Sequence, residues 1–501
     1  MKIRAVKGNL CEIKDEVIVL GIFEGKKSLS KQVLEIDSSM GGLIRKVISS
    51  GDFKGKYNQK KLLYTVKGIN SKRILLAGLG KEKEFTIDKL RGVIAGCAQS
   101  IRSTGIKSFA VPVSFAGMMK KDTKDRVCAV VEGAVLGLYK FDQYKSKSKD
   151  NNNNEIKQIT LIADTEKELK EAKQDVNKAE TVCEAVCLAR DLVSSPGNAA
   201  TPTYLANRAK AISKKSRLLC RIIDEKGAKK LKMGAFLSVA QGSDQPARFI
   251  ILEHKPRRIK APKTVVIVGK AITFDSGGIS LKPPGNMQEM KTDMSGGAAA
   301  IAVMQACSKL DIPVHVVGLI PATENMPSGK ALKPGDVVQA MSGKTIEIIS
   351  TDAEGRLILA DALTYAKRFK PDAVIDMATL TGACIIALGN DVSAIMGNNN
   401  EIIDRINVSS VKTGEKVWQL PLWEEYGELI KSDIADLKNV GGRAAGTITA
   451  GYFLKEFAGD LPWVHIDIAG TAWSNKDKPY SPKGASGVCV RLLVNMLENW
   501  K

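Results

Sequence analysis

Histidine is nearly missing from this chain: His254, His315 and His465 are the only three in 501 residues, and no His-Glu-x-x-His pair occurs. A zincin-type site, which needs two imidazoles one helical turn apart, is thereby excluded. The nine cysteines form no Cys-x-x-Cys, and Cys183 and Cys187 fall four residues apart in a helix-patterned segment, so neither a zinc ribbon nor a disulfide scaffold is indicated. Reduced thiols and a cytoplasmic setting are the expectation. No charge-free apolar stretch reaches the length of a bilayer span, and nothing in the chain calls for a membrane. Glu12, Asp15 and Glu16 interrupt the basic N-terminus before the short apolar run from Val17 to Phe23, which argues against a secretory signal.

Acidic residues are also scarce relative to basic ones, giving a net charge of +21. The surplus is uneven: residues 1 to 150 hold 30 Lys and Arg against 15 Asp and Glu, a net +15, whereas the remainder holds 45 against 39, a net +6. A basic face of this kind can attract nucleic acid. With aromatics at only 5% and few of them interleaved, a lysine-rich solvated surface is the plainer reading, and nucleic acid stays as the alternative partner.

The length exceeds that of a single core, so two domains are expected, and 44% hydrophobic residues in regular patterns argue for a globular chain. The first part alternates apolar strands at Val17 to Phe23 and Arg73 to Leu79 with helices near Ile87 to Arg102 and Val127 to Leu138, an α/β pattern. Lys145 to Asn154, lysine and serine followed by asparagines, has the composition of an exposed loop. Strand-like Ile156 to Ala163 and a long helical segment from about Thr165 to Leu192 follow. The expected division is a basic N-terminal α/β domain over 1–165, a connecting helix over 166–190, and a second domain over 191–501. In that domain Thr264 to Gly269, Val314 to Ile320, Thr345 to Ser350, Ala373 to Met377 and Val464 to Ile468 read as buried strands. Helices such as Ser295 to Leu310 and Leu357 to Phe369 separate several of them, implying a mixed, largely parallel sheet flanked by helices. Lys270 and Asp352 are then expected just after strands, at the strand C-terminal ends where open α/β sheets hold ligands.

Between positions 265 and 357 three glycine-rich, apolar segments carry Lys270, Asp275, Asp293, Asp352 and Glu354, with Lys282 and Arg356 interleaved. Burying four carboxylates together is costly unless cations pair with them, and two divalent ions would supply four positive charges against the four negative ones. Oxygen donors suit magnesium and manganese, and zinc accepts them too. Taken singly, Asp275, Asp293 and Asp352 could each be a helix or turn cap beside glycine.

Ser-Thr-Asp-Ala-Glu-Gly-Arg-Leu (350 to 357) resembles the Asn-Thr-Asp-Ala-Glu-Gly-Arg-Leu motif of the leucine aminopeptidase (cytosol aminopeptidase) family in all but its first residue. Arg190 to Leu205, Asp376 to Ala383 and Trp463 to Gly470 are similar to further family segments, in the family's order. The resemblance covers the C-terminal two-thirds densely. Ala271, Ser350 and Ser486 depart from the usual glycine, asparagine and threonine, and none removes a metal-binding side chain.

This resemblance implies a dimetal aminopeptidase acting on peptides with a free N-terminus. Lys270, Asp275, Asp293 and Glu354 would bind the tighter ion, and Asp275, Asp352 (side chain and main-chain carbonyl) and Glu354 the more exchangeable one, manganese or zinc with magnesium or cobalt as alternatives. A lysine amine binds a metal only when neutral, so Lys270 is expected to have a strongly depressed pKa. One water between the ions would be the nucleophile, and the substrate's α-amine would bind an ion. Lys282 would stabilise the developing oxyanion, and Arg356 would hold a bicarbonate that shuttles the proton. Met290, Thr379 and Gly382 match positions lining the first side-chain pocket, suited to leucine; Met290 alone would more often be core. The family also implies a homohexamer of two stacked trimers.

Other motifs carry less. His465, alternating with Val464 and Ile466, reads as a satisfied strand histidine. Gly343-Lys344-Thr345 mimics the end of a phosphate loop, but Val338 stands where the first glycine belongs. Gly78-Leu79-Gly80 has Lys83 at the third glycine position of a dinucleotide loop.

Overall fold

The computed structural model describes residues 1–500 except 27, 66–67, 116–121, 147–153 and 258, so most of the loop expected at Lys145 to Asn154 lies outside the described residues. The chain forms two compact units, Met1–Cys183 with Asp477–Pro482, and Glu184–Lys476 with Lys483–Lys501. Helix Glu166–Ser194 carries the chain from the first into the second. The return of residues 477–482 to the first unit left no mark in the sequence pattern.

The first unit holds strands β1 (Lys2–Lys7), β2 (Val17–Ile22), β3 (Lys60–Tyr64), β4 (Arg73–Gly78), β5 (Ser108–Pro112) and β6 (Gln158–Ala163) in the order β1-β6-β5-β2-β4-β3. Neighbouring strands run parallel except β3, which is antiparallel to β4. All six residues of β2 are buried, the continuous apolar run of a strand covered on both faces. Helix Ile87–Ser103 starts where Thr86 accepts the Lys89 N–H, and helix Lys31–Ser39 where Ser30 accepts that of Val33.

The second unit is built on a nine-stranded mixed sheet of β7 (Leu219–Ile223), β8 (Arg248–His254), β9 (Thr264–Gly269), β10 (Ala271–Asp275), β11 (His315–Asn325), β14 (Ala373–Ala378), β15 (Ser393–Gly397), β16 (Val417–Gln419) and β18 (Trp463–Asp467). Its order is β16-β15-β18-β14-β9-β11-β8-β7, with β10 beside β11. The centre, β18-β14-β9-β11, is parallel throughout. Helix Ser295–Leu310 covers one face, where a side chain at Gly318 would strike Met304. On the other face Val266, Val268, Val317 and Leu319 pack with Leu357, Leu363, Phe453 and Phe457 from helices Glu354–Ala366 and Gly446–Ala458. The two α/β bodies and the mixed, parallel-centred sheet agree with the sequence reading.

One strand differs. The segment expected to be central from Thr345 to Ser350 pairs only over Thr345–Glu347 (β13), in a separate three-stranded sheet with β12 (Val337–Gln339) and β17 (Leu437–Lys438). Ile348 still bonds backbone to backbone with Gly335 and Asp336, and from there a side chain takes over: the Ile349 and Ser350 N–H groups both donate to Asn439 Oδ1, at 2.8 and 3.3 Å. Asp352 therefore sits in a turn rather than directly after a central strand. Gly343-Lys344-Thr345 enters β13 from the β12–β13 hairpin connection, which agrees with rejecting it as a phosphate loop.

Candidate metal centre

Lys270 leaves the C-terminal end of β9. Its N–H donates to Met377 O at 3.0 Å and its carbonyl accepts from Gly297 at 2.7 Å, which fixes its backbone between β14 and helix Ser295–Leu310. Asp275 closes β10, Asp293 lies in the 3-10 turn Met287–Met294, and Glu354 is the first residue of helix Glu354–Ala366. These three buried carboxylates each offer an oxygen within 4.8 Å of the others. The grouping sits past the strand ends of the parallel centre, where such sheets hold ligands.

The two lysines divide the acids between them. Lys270 Nζ lies 2.8 Å from Asp293 Oδ2 and 2.9 Å from Glu354 Oε1, and donates to Thr379 O at 2.9 Å. Lys282 Nζ lies 2.8 Å from Asp275 Oδ2 and also contacts Asp352 Oδ1, whose side chain is 38% exposed. Glycine is needed where Lys270 passes helix Glu354–Ala366, because a Cβ on Gly355 would lie 2.6 Å from Nζ. Gly278, at φ +67°, likewise keeps clear of Asn325 Oδ1, which a Cβ would approach to 2.7 Å.

Four carboxylates against two ammonium groups leave an excess of negative charge in a buried place. Burial pushes the Asp293 carboxyl up to about 6 although Lys270 opposes it, and burial with the nearby Asp275 pushes Glu354 up to about 8. Burial and then Asp275 also raise Asp352. The acids around Lys270 work against the depression expected of a metal-bound amine. Burial favours the neutral amine, but Asp293, Glu354 and Asp275 together outweigh it and hold the ammonium above the usual lysine range. For Lys270 to serve as a neutral ligand, a cation must take the place of its proton.

The donor set fits divalent ions: carboxylate oxygens in excess, and one of them, the buried Asp293 Oδ2, close to Lys270 but without an aligned hydrogen bond. Arg356 fits an anion. It is buried, its Nη1 donates to Asn439 O at 2.6 Å, and its Nε has no hydrogen-bond partner among the described residues. Burial pulls its guanidinium down to about 10.

Of the residues expected to line a side-chain pocket, Met290 is half-buried on the 3-10 turn and Gly382, which begins helix Gly382–Leu388, has open space where a Cβ would stand. Thr379 does more than line a wall. Besides accepting from Lys270, it donates its hydroxyl to Asp293 Oδ1 at 2.7 Å.

Sequence reasoning missed Asn325, the buried last residue of β11, whose Nδ2 donates to Asp275 Oδ1 at 2.8 Å and to Thr351 O at 3.0 Å. The signal was the polar Thr323-Glu324-Asn325 tail on a strand otherwise apolar. His465 is a buried strand histidine but only half satisfied: Nδ1 meets Asp376 Oδ1 at 2.5 Å, whereas Nε2 has no partner among the described residues. At the departures from the family pattern, Ser350 Oγ accepts the Asp352 N–H at 3.2 Å, and Ser486 Oγ donates to Thr471 O at 2.7 Å.

A lysine- and carboxylate-lined cage at the end of a parallel sheet is the arrangement of a metal-dependent hydrolase. The sequence profile described as "Cytosol aminopeptidase family, catalytic domain" matches residues 187–494, and "Cytosol aminopeptidase family, N-terminal domain" matches 19–148. A "Probable cytosol aminopeptidase" of Geobacter sp. (strain M21) is 46% identical over 99% of both chains, and that of Alkaliphilus oremlandii (strain OhILAs) is 41% identical over 100% of this chain and 99% of its own. Among solved structures, a mutant of tomato leucine aminopeptidase superposes with a TM-score of 0.88 at 32% identity, covering 99% of this chain and 96% of its own. The bottromycin maturation enzyme BotP in complex with Mn gives 0.84 at 32%, covering 96% and 99%. The chain belongs to the cytosol aminopeptidase family. It is an enzyme, a metal-dependent aminopeptidase acting on peptides. Among the described residues no helix is long and apolar enough to cross a membrane.

Proposed function

We propose that this aminopeptidase removes N-terminal leucine and other apolar residues from peptides through two divalent cations, manganese or zinc with magnesium or cobalt as alternatives. Lys270, Asp275, Asp293 and Glu354 hold the tighter ion, and Asp275, Asp352 and Glu354 the exchangeable one. The observation that carries this reading is the split of the acids between two ammonium groups, Lys270 on Asp293 and Glu354, and Lys282 on Asp275 and Asp352. When bound, the cations lower the pKa of a water and polarise a carbonyl. The chain's own groups do the rest. Lys282 keeps its proton, since Asp275, Glu354 and Asp352 outweigh the effect of burial, and offers that charge to the oxygen of the attacked carbonyl. Arg356 Nε, as part of a planar fork, would hold a bicarbonate, and that anion would supply a proton carrier at the site. Met290, Thr379 and Gly382 bound the pocket for the departing side chain.

Chelation should abolish hydrolysis of leucine p-nitroanilide, and adding back manganese or zinc should restore it. Undiminished turnover after complete metal removal, or in an Asp352→Ala protein, would sink the reading.

The same reading includes a homohexamer, supported by apolar side chains left in the open on the second unit, Trp418 at 63%, Trp423 at 66% and Val411 at 83% exposure. Light scattering tests it. A reduced, cytoplasmic setting is supported by nine cysteines that form no disulfide with one another. Nucleic-acid binding through the first unit rests on charge alone, and ion pairs such as Lys7–Glu166, Lys61–Asp52 and Arg126–Glu168 take up part of that charge. The absence of a duplex DNA shift by the whole protein at low salt would remove it.

A further inference from the structure

The turn Thr379–Thr381 joins β14 to helix Gly382–Leu388, and through Thr379 it touches two of the charged groups assigned to the tighter ion, Lys270 and Asp293. Asp467, the last residue of β18, holds this turn. Its Oδ1 accepts the Leu380 N–H at 3.2 Å and the Ala469 N–H at 3.0 Å, and its Oδ2 accepts the Thr381 hydroxyl at 2.8 Å. A hydroxyl has one proton and two lone pairs. With the Thr381 proton given to Asp467, its lone pairs accept the Cys384 N–H at 3.1 Å and the Thr447 hydroxyl at 2.9 Å, so every hydrogen-bonding position of Thr381 Oγ1 is used and its orientation is fixed.

Asp467 is fully buried and pairs in register with Ala378 at the end of β14. Two residues earlier along the same two strands, Asp376 accepts Trp463 Nε1 at 2.6 Å and meets His465 Nδ1 at 2.5 Å. A column of buried polar groups thus follows the β14–β18 seam up to the turn. The column reaches the Lys270–Asp293 side of the cage; none of its hydrogen bonds reaches Asp352 or Lys282.

We propose that Asp467 is a positioning residue for the tighter cation site: through Thr381 and Leu380 it holds Thr379, which in turn fixes Lys270 and Asp293 where one cation can take both. This rests on the dimetal reading above. Asp467 touches neither the ions nor the peptide, and its effect is confined to one of the two sites.

The test is titration of the metal-stripped whole protein with Mn2+, following both binding events by calorimetry. Thr381→Val, which keeps the shape and removes the hydroxyl, should weaken the tighter event by about 10-fold or more, the size expected when a group supporting a ligand is lost. The weaker event should stay within about twofold, and Thr381→Ser should behave like the unaltered protein. Asp467→Asn should follow Thr381→Val, and melting of the metal-free proteins shows that each is folded; if Asp467→Asn does not fold, the threonine pair decides. Equal weakening of both events, an unchanged tighter event in Thr381→Val, or a serine variant as damaged as the valine one overturns the proposal. An unaltered protein that binds fewer than two Mn2+ sinks the parent reading instead, and this inference with it.

Discussion

Asn325 Nδ2 lies 2.8 Å from Asp275 Oδ1, so the last residue of the longest central strand orients a carboxylate from the neighbouring strand. The same amide nitrogen also donates to Thr351 O, tying the Asp275 strand to the turn that carries Asp352. Replacing Asn325 with Ala takes one donor from Thr351 O and one from Asp275 Oδ1, leaving Asp275 only the Gly277 N–H and Lys282 to hold it. Metal affinity of the folded variant, measured by equilibrium dialysis, should fall about 10- to 100-fold. Unchanged affinity would show that Asp275 needs no such support.

Gly355→Ala tests how closely Lys270 must sit. The added methyl would lie 2.6 Å from the end of the Lys270 side chain and push it off Asp293 and Glu354. Breaking a buried ion pair outweighs any gain in helix propensity, so the metal-free variant should melt at a lower temperature, and metal uptake and peptide hydrolysis should fall. A variant that melts and hydrolyses as the unaltered protein does would contradict this.

How much of this could be read beforehand depended on whether the information was local. Lys270, Asp275, Asp293 and Glu354 were legible because burying charge among glycines and apolar residues is conspicuous in a sequence, and the structure gathers them. The central strands were legible as continuous apolar runs. The short reach of strand β13 was not, because the N–H groups of Ile349 and Ser350 are taken by the side chain of Asn439, about ninety positions away. Nor were Asn325 and Asp467, whose single polar side chains at strand ends look like many others until the partner strand is known. The protonation of Lys270 is not local information either: a bound cation and the surrounding acids drive it in opposite directions, and only the distances show how closely the acids stand.

Asp361 gives a pH signature away from the metal site. It accepts the Phe236 N–H at 2.8 Å and the Met341 N–H at 2.7 Å, yet its complete burial pushes the carboxyl up to about 7. Its folded pKa lies above the unfolded value of about 3.9, so the folded state holds a proton that the unfolded chain releases between about pH 4 and 7. Its contribution to stability is present at low pH and is lost as pH rises through that window, by at most about 1.4 kcal/mol per unit, and levels off above it. In urea denaturation at a series of pH values, Asp361→Asn should be less stable at pH 4, having lost an acceptor, and should lack this slope. An identical slope in both proteins would assign it elsewhere.

Arg356→Lys tests whether the planar fork matters. Lysine can keep the bond to Asn439 O or offer a donor to an anion, but its single nitrogen cannot do both in the geometry that Nη1 and Nε provide. Turnover should fall by about 10²-fold or more, the size expected when assisted proton transfer is lost. Added bicarbonate should raise the rate of the unaltered enzyme and not that of the variant. Equal stimulation of both would remove Arg356 from the proton path.

Lys282 makes opposing demands on binding and rate. Its ammonium competes with a cation for Asp275 and Asp352, so in Lys282→Ala the more exchangeable Mn2+ should bind as tightly as before or more so. The same change removes the charge that meets the developing oxyanion, and kcat for leucine p-nitroanilide should drop by about 10²- to 10³-fold while KM moves little. A purely structural counter-charge would give the reverse pattern, weaker metal binding with kcat restored at saturating Mn2+, so the two measurements together decide which role Lys282 has.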